Sequence, residues 1–84
     1  VVLVTGASTG LGLALVKELL EVGDFHVIAT ARQSSLYRFA NEGLLESENF
    51  WIRPLNVLLK AERDDVISEA NQKLGGIDIL VHTA

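Results

Sequence analysis

The hydrophobic period of the chain changes once within its first 22 residues, and that change limits what the chain can fold into. Val1, Val2, Leu3 and Val4 are an apolar, mostly β-branched run without polar alternation, which predicts a strand buried on both faces. Gly6 and the small residues after it end that strand. From Gly10 the spacing becomes helical: Leu11, Ala14, Leu15, Leu19 and Val22 fall on one stripe, Lys17, Glu18 and Glu21 lie opposite, and Gly23 is a natural stop. A strand that runs through glycines directly into a helix leaves the first backbone N–H groups of that helix unpaired and aimed at one spot. That spot attracts an anion.

The same alternation continues to the end of the chain. HVIAT (26–30) predicts a second strand, and Ser34 and Ser35 are N-cap candidates for a helix running to about Glu42, where Gly43 ends it. NFWIR (49–53) predicts a third strand stopped by Pro54. A helix follows over 61–74, with Val66, Ile67, Ala70 and Leu74 inward, Glu62, Arg63, Asp64, Glu69 and Lys73 outward, and Gly75 and Gly76 closing it. IDILV (77–81) is the fourth strand, with Asp78 expected to cap the backbone turn at its start. The order βαβαβαβ with short connections predicts an α/β fold, a parallel sheet with right-handed crossovers and helices on both faces. No repeat or linker divides the 84 residues, so 1–84 reads as one unit.

Composition removes several classes of partner. Net charge is −4 with no basic run, so there is no footprint for nucleic acid or an anionic membrane, and any bound anion must be held locally. The longest apolar runs are about four residues, far short of the roughly 18 that would span a bilayer. The absence of cysteine excludes disulfides and thiolate metal sites and fits a reducing compartment, from which a cytoplasmic location is expected. The chain opens on Val1 without an initiator Met or a signal-type segment and closes on Ala84 directly after an apolar run, so both ends are expected to be cuts.

Each glycine of the turn has a separate steric task. Gly6 permits the tight turn, Gly10 lets the backbone come close to a diphosphate, and Gly12 lets the helix pack without a Cβ in the way. The spacing is GxxxGxG rather than the general GxGxxG fingerprint. Thr5 to Gly12, TGASTGLG, resembles the TGxxxGxG cofactor motif of the classical short-chain dehydrogenases/reductases, enzymes that move hydride between NAD(P)(H) and a carbonyl or alcohol carbon. The resemblance continues through ATAR (29–32), PLNV (54–57) and ILVHTA (79–84); it covers the whole chain but only the first half of a usual family domain. It implies a three-layer, doubly wound Rossmann-type domain, here a partial one, in which Gly6, Ser8, Thr9, Gly10, Leu11 and Gly12 contact the diphosphate and the nicotinamide side.

The residue at the end of the second strand of a Rossmann unit, roughly 20 positions past the loop, faces the adenosine ribose, and a carboxylate there favours NAD. This chain has Ala31 and Arg32 at that point. A guanidinium grips a phosphate with paired donors and stays charged, so NADP(H) is expected over NAD(H). Arg38, six residues on, reads as surface. By the resemblance, Asn56 and Val57 take the place of an Asp and a small apolar residue that hold the adenine edge, and an amide oxygen still accepts a bond from the adenine amino group.

The family's catalytic groups are a Ser and a YxxxK pair. Tyr37 is followed four residues later by Asn41, and none of Lys17, Lys60 or Lys73 supplies the lysine. The family's NNAG is replaced by His82, Thr83 and Ala84, and His82 reads as a structural residue. No catalytic residue is therefore assigned, and no metal site, since neither HxxxH nor DxD occurs. The expected function is the NADP(H)-binding portion of a short-chain dehydrogenase/reductase-type oxidoreductase, inactive as these residues alone, with a homo-oligomeric parent. The alternatives are a non-enzymatic dinucleotide-binding sensor or interaction module, or a half-domain whose fourth strand, an exposed apolar edge, drives self-association.

Overall fold

A computed structural model describes residues 1–83; Ala84, the last residue of the ILVHTA segment, lies outside them. The elements follow the expected order: β1 (Val2–Thr5), α1 (Gly10–Val22), β2 (Val27–Ala31), a 3-10 turn (Gln33–Ser35), α2 (Tyr37–Asn41), β3 (Phe50–Pro54), α3 (Lys60–Leu74) and β4 (Ile79–His82). The strands form a parallel 4-stranded sheet in the order β3-β2-β1-β4. The chain winds outward from β1 to β3 and then returns to the far side of β1. The winding thus reverses between β1 and β4, and the carboxyl ends of those strands border a crevice.

Both faces of the two inner strands, β1 and β2, are covered, which is why they carry no polar alternation, while Ile79 and Leu80 of the edge strand β4 remain exposed. On one face Val2, Val4, Val27, Ala29 and Phe50 pack with Val16 of α1 and Phe39 of α2. On the other, Leu3, Ile28 and Leu55 pack with Val66 and Ala70 of α3. β1 and β2 are buried at every position.

Four local expectations are corrected. In α1 the buried residues are Gly12 and Val16, with Leu15, Leu19 and Leu20 partly buried, while Leu11, Ala14 and Val22 are exposed. Contact at Gly12 fixes the rotation of the helix, and positions four and eight residues on then face the sheet. Ser34 and Ser35 cap no helix: the segment begins as a 3-10 turn flanked by Arg32, and α2 starts only at Tyr37. Ile67 is 45% exposed on α3. Asp78 caps no turn; its side chain lies beside Val1, and β4 starts at Ile79, whose N–H donates to Val1 O.

The outer side of β3 is closed by side chains. Ile52 N–H donates to Glu46 Oε1 at 2.9 Å, and Arg53 forms a two-point pair with Glu69 at 2.7 and 3.0 Å while lying over the Trp51 ring. That pair holds the Glu69 carboxyl below its ordinary range, chiefly through the Arg53 hydrogen bond. Beside it, His26 meets Trp51 edge-on at 5.1 Å with both ring nitrogens buried, and burial, only partly offset by the Glu48 backbone, pushes its pKa below the ordinary 6.5.

β1, β4 and the glycine turn are locked together by Thr83. Its hydroxyl donates to Thr5 O and, at 3.1 Å, to Gly6 O. A Cβ on Gly12 would run into Gly6 O and come within 2.8 Å of Thr83 Oγ1.

Gly→Ala inside a helix ordinarily stabilises by about 1 kcal/mol; at Gly12 the clash with backbone reverses the sign, and Gly12→Ala lowers unfolding free energy by about 1–3 kcal/mol in urea titration. An increase in stability would contradict the close contact. The unfolded chain protonates His26 more readily than the folded one, so stability is full above pH 6.5 and falls as pH drops from there through the lower folded pKa. Glu69, whose folded pKa is also depressed, adds a further loss below pH 4.5. His26→Phe should flatten the upper part of that decline in denaturation curves; an unchanged profile would refute the assignment.

Candidate functional site

The crevice begins at the turn between β1 and α1. Ala7 N–H donates to Thr30 O at 2.9 Å, which ties the turn to β2. Gly6 and Gly10 take φ of +61° and +57°, a left-handed conformation that disfavours any side chain. Thr9 precedes the helix in an extended conformation, and its side chain makes no capping bond; the first intrahelical bond, Leu13 N–H to Thr9 O, spans 3.2 Å. Among the described residues the leading N–H groups of α1 therefore have no partner behind them, and no acidic residue stands in the first turn. No acidic side chain of the first turn compensates the positive end of the helix.

Gly6, Ser8, Thr9, Gly10, Leu11 and Gly12 line one side of a cleft of about 500 Å³, with Ala31, Arg32 and Ser35 on the other and His82 and Thr83 at its floor. A second lobe of about 310 Å³ continues from it over Leu55, Val57 and Leu58, sharing Gly6, Ala31, Arg32, His82 and Thr83. No carboxylate lines either lobe among the described residues, and Arg32 lines both. Arg32 is exposed and makes no ion pair among those residues. The glycines divide the work. Where a Cβ on Gly6 would come within 2.7 Å of Thr83 Oγ1, one on Gly10 would meet nothing within 4 Å, so that face of the turn is open to the crevice.

Seven of the sequence-predicted residues, the six of the loop and Arg32, thus share one cleft, and Val57 lies in its second lobe. Asn56 lines neither lobe. Its Oδ1 accepts the Leu58 N–H at 3.0 Å and its own N–H donates to Glu62 Oε1 at 2.8 Å, so it shapes the turn that presents Val57 and Leu58. Arg63 supports the same turn by donating to Val57 O. Arg38 and Tyr37 lie outside the crevice on α2, where the guanidinium sits 5.9 Å from the Tyr37 ring. Sequence reasoning missed Ser35 and Leu58 as lining residues. It also missed Thr83 as the tie between strands, a bond between residues 78 apart for which no local spacing gives a signal. Among the described residues no group of three or more potential ligands is placed to hold a metal, and no helix is long and apolar enough to cross a membrane.

The arrangement has counterparts in known proteins. The family model described as short chain dehydrogenase matches residues 1–84. The chain is 36% identical to an uncharacterized oxidoreductase of Staphylococcus aureus and 30% identical to a short-chain dehydrogenase of Penicillium roqueforti, covering 100% and 99% of its own length. It spans 36% and 34% of those relatives. Its backbone is similar to a short chain dehydrogenase from Bacillus anthracis, with a TM-score of 0.81 and 25% identity over 99% of this chain and 34% of that one. The strand order, the GxxxGxG turn and these matches along its whole length agree: the chain belongs to the short-chain dehydrogenase family.

Proposed function

We propose that this chain is the NADP(H)-binding portion of a short-chain dehydrogenase/reductase-type oxidoreductase. One observation carries the reading: an uncapped helix N-terminus and an unpaired Arg32 face a single crevice that no carboxylate lines among the described residues. In a chain of net charge −4, a crevice so free of negative charge is suited to a polyanion.

The residues present fit a nicotinamide dinucleotide. The N–H groups at Gly10 to Gly12 take the diphosphate, with Ser8 and Thr9 beside them, and the open face of Gly10 lets the phosphates approach the backbone. Leu11 and Gly6 border the path toward the nicotinamide side. Arg32 grips the 2′-phosphate with paired N–H donors. Leu55, Val57 and Leu58 give the adenine an apolar seat, and Asn56 holds their turn in place through its Oδ1. When bound, the nicotinamide ring supplies or accepts the hydride. No YxxxK occurs in these 84 residues, so their part is to bind and orient the dinucleotide rather than to exchange a proton with a substrate.

Isothermal titration with NADPH and NADH tests the assignment. The protein should prefer NADPH, and Arg32→Ala should weaken NADPH by about ten- to a hundredfold, the worth of hydrogen bonds to a charged group, while leaving NADH nearly unchanged. Equal affinities in the parent protein, or a preference that survives the substitution, would refute the role of Arg32. Gly10→Ala should weaken both coenzymes alike at a cost to folding of about 1 kcal/mol, since the strained φ falls on a residue with space around it. Undiminished binding in that variant would remove the phosphates from the turn.

A further inference from the structure

β3 is an outer strand of the described sheet, yet its outward backbone groups are nearly all engaged. Asn49 O accepts the Val27 N–H and Leu55 N–H donates to Ala31 O, so alternate residues from Asn49 to Leu55 turn their peptide groups to β2. Phe50, Ile52 and Pro54, which lie between them, turn theirs away. Phe50 is closed by backbone: its N–H and its carbonyl both bond to Ser47 in an antiparallel bridge. Pro54 has no N–H to offer. Ile52 is left with an outward donor and acceptor that no backbone group meets among the described residues.

Two side chains meet them instead. Glu46 Oε1 accepts the Ile52 N–H at 2.9 Å, and Arg53 Nη1 donates to Ile52 O at 2.9 Å. The same oxygen and nitrogen lie 2.5 Å from each other. Linked in this way, they offer Ile52 the acceptor and the donor that a neighbouring strand would bring. Glu69 fixes the rest of the guanidinium through its two-point pair. Ion pairs as exposed as the one to Glu46 add little to stability. What this one controls is access to the edge. Beside it runs a groove walled by Phe39, Leu44, Leu45 and Pro54, with Leu45 73% exposed, so an uncovered Ile52 would adjoin apolar surface that a second chain could bury.

We propose that Glu46 and Arg53 guard the edge, standing in for a further strand and so keeping β3 from pairing with β3 of a second copy of this chain. Ile52 sets the geometry of the pairing they prevent. In an antiparallel pair centred on Ile52, that residue and its counterpart exchange two N–H···O bonds about a two-fold axis, which closes a symmetric dimer. Phe50 and Pro54 are closed by other means, so the contact has no other centre on β3.

Sedimentation velocity over a concentration series tests the guard. Glu46→Ala should associate at concentrations about tenfold lower than the parent chain, the order of two hydrogen bonds between uncharged groups. Glu46→Gln keeps an acceptor for the Ile52 N–H and should stay close to the parent. The gain should vanish in Glu46→Ala/Ile52→Pro, because proline has no N–H to donate and the one at Ile52 carries no bond to β2. It should persist in Glu46→Ala/Leu80→Lys, which places a charge on the exposed outer strand β4. Amide hydrogen exchange on Glu46→Ala alone gives a readout that does not depend on the proline variant folding: the Ile52 N–H should exchange faster than in the parent when dilute and slower as concentration rises. Association of Glu46→Ala no stronger than the parent's overturns the proposal. So does a gain shared by Glu46→Gln, a gain that survives Ile52→Pro or is lost with Leu80→Lys, or exchange at Ile52 that ignores concentration.

Discussion

The structure depends on a space that only glycine can occupy. Where β1 ends, the chain must turn left-handed at Gly6, pass within contact distance of β4, and start a helix whose third residue touches the turn it has just left. Side chains at Gly6 or Gly12 would separate these pieces. With none there, the Thr83 hydroxyl reaches two carbonyls at once, Thr5 O and Gly6 O, and satisfies groups that the end of a strand otherwise leaves to solvent. The same contact sets the rotation of α1 and thereby decides that Val16 and Leu20, rather than Leu11 and Val22, meet the sheet.

Function follows from what that lock leaves open. Holding the start of α1 against the sheet points its unpaired N–H groups into the crevice, and reversing the winding between β1 and β4 keeps the crevice clear of other elements. The chain as a whole is acidic, yet among the described residues no carboxylate lines either lobe of the crevice, and several are engaged elsewhere. Glu46 and Glu69 neutralise Arg53 at the β3 edge, Glu42 pairs with Lys17, Asp64 with Lys60, and Glu62 holds the turn at Asn56. Arg32 is spared from these pairs. Segregation of charge, rather than net charge, is what equips the site for an anion.

Much of this was legible in the sequence because it is written in local pattern. Uninterrupted β-branched runs place the strands to within a residue or two, glycines mark the turn and the helix ends, and counting from Gly12 to the end of the second strand lands on Arg32. What local pattern does not contain is contact between distant residues. Thr83 and His82 read only as departures from an asparagine pair, whereas in three dimensions their side chains bond to Thr5 and Gly6, more than 70 residues away. Asn56 reads as a candidate ligand group by its place in PLNV, and the structure gives its oxygen a backbone partner first. The apolar stripe of α1 was misread for a related cause: a helix viewed alone shows which residues are apolar, but the contact at Gly12 decides which of them face the sheet.

In the proposed site the backbone at the start of α1 holds the phosphates of a dinucleotide with Arg32 opposite. The most direct measurement is an amide-resolved NMR titration of the protein with NADPH. The largest shifts should fall on the N–H groups of Gly10, Leu11 and Gly12 and on the Arg32 side chain, while the Glu46–Arg53–Glu69 edge stays unmoved. Saturable binding that shifts other residues and leaves Gly10 to Gly12 in place would contradict it.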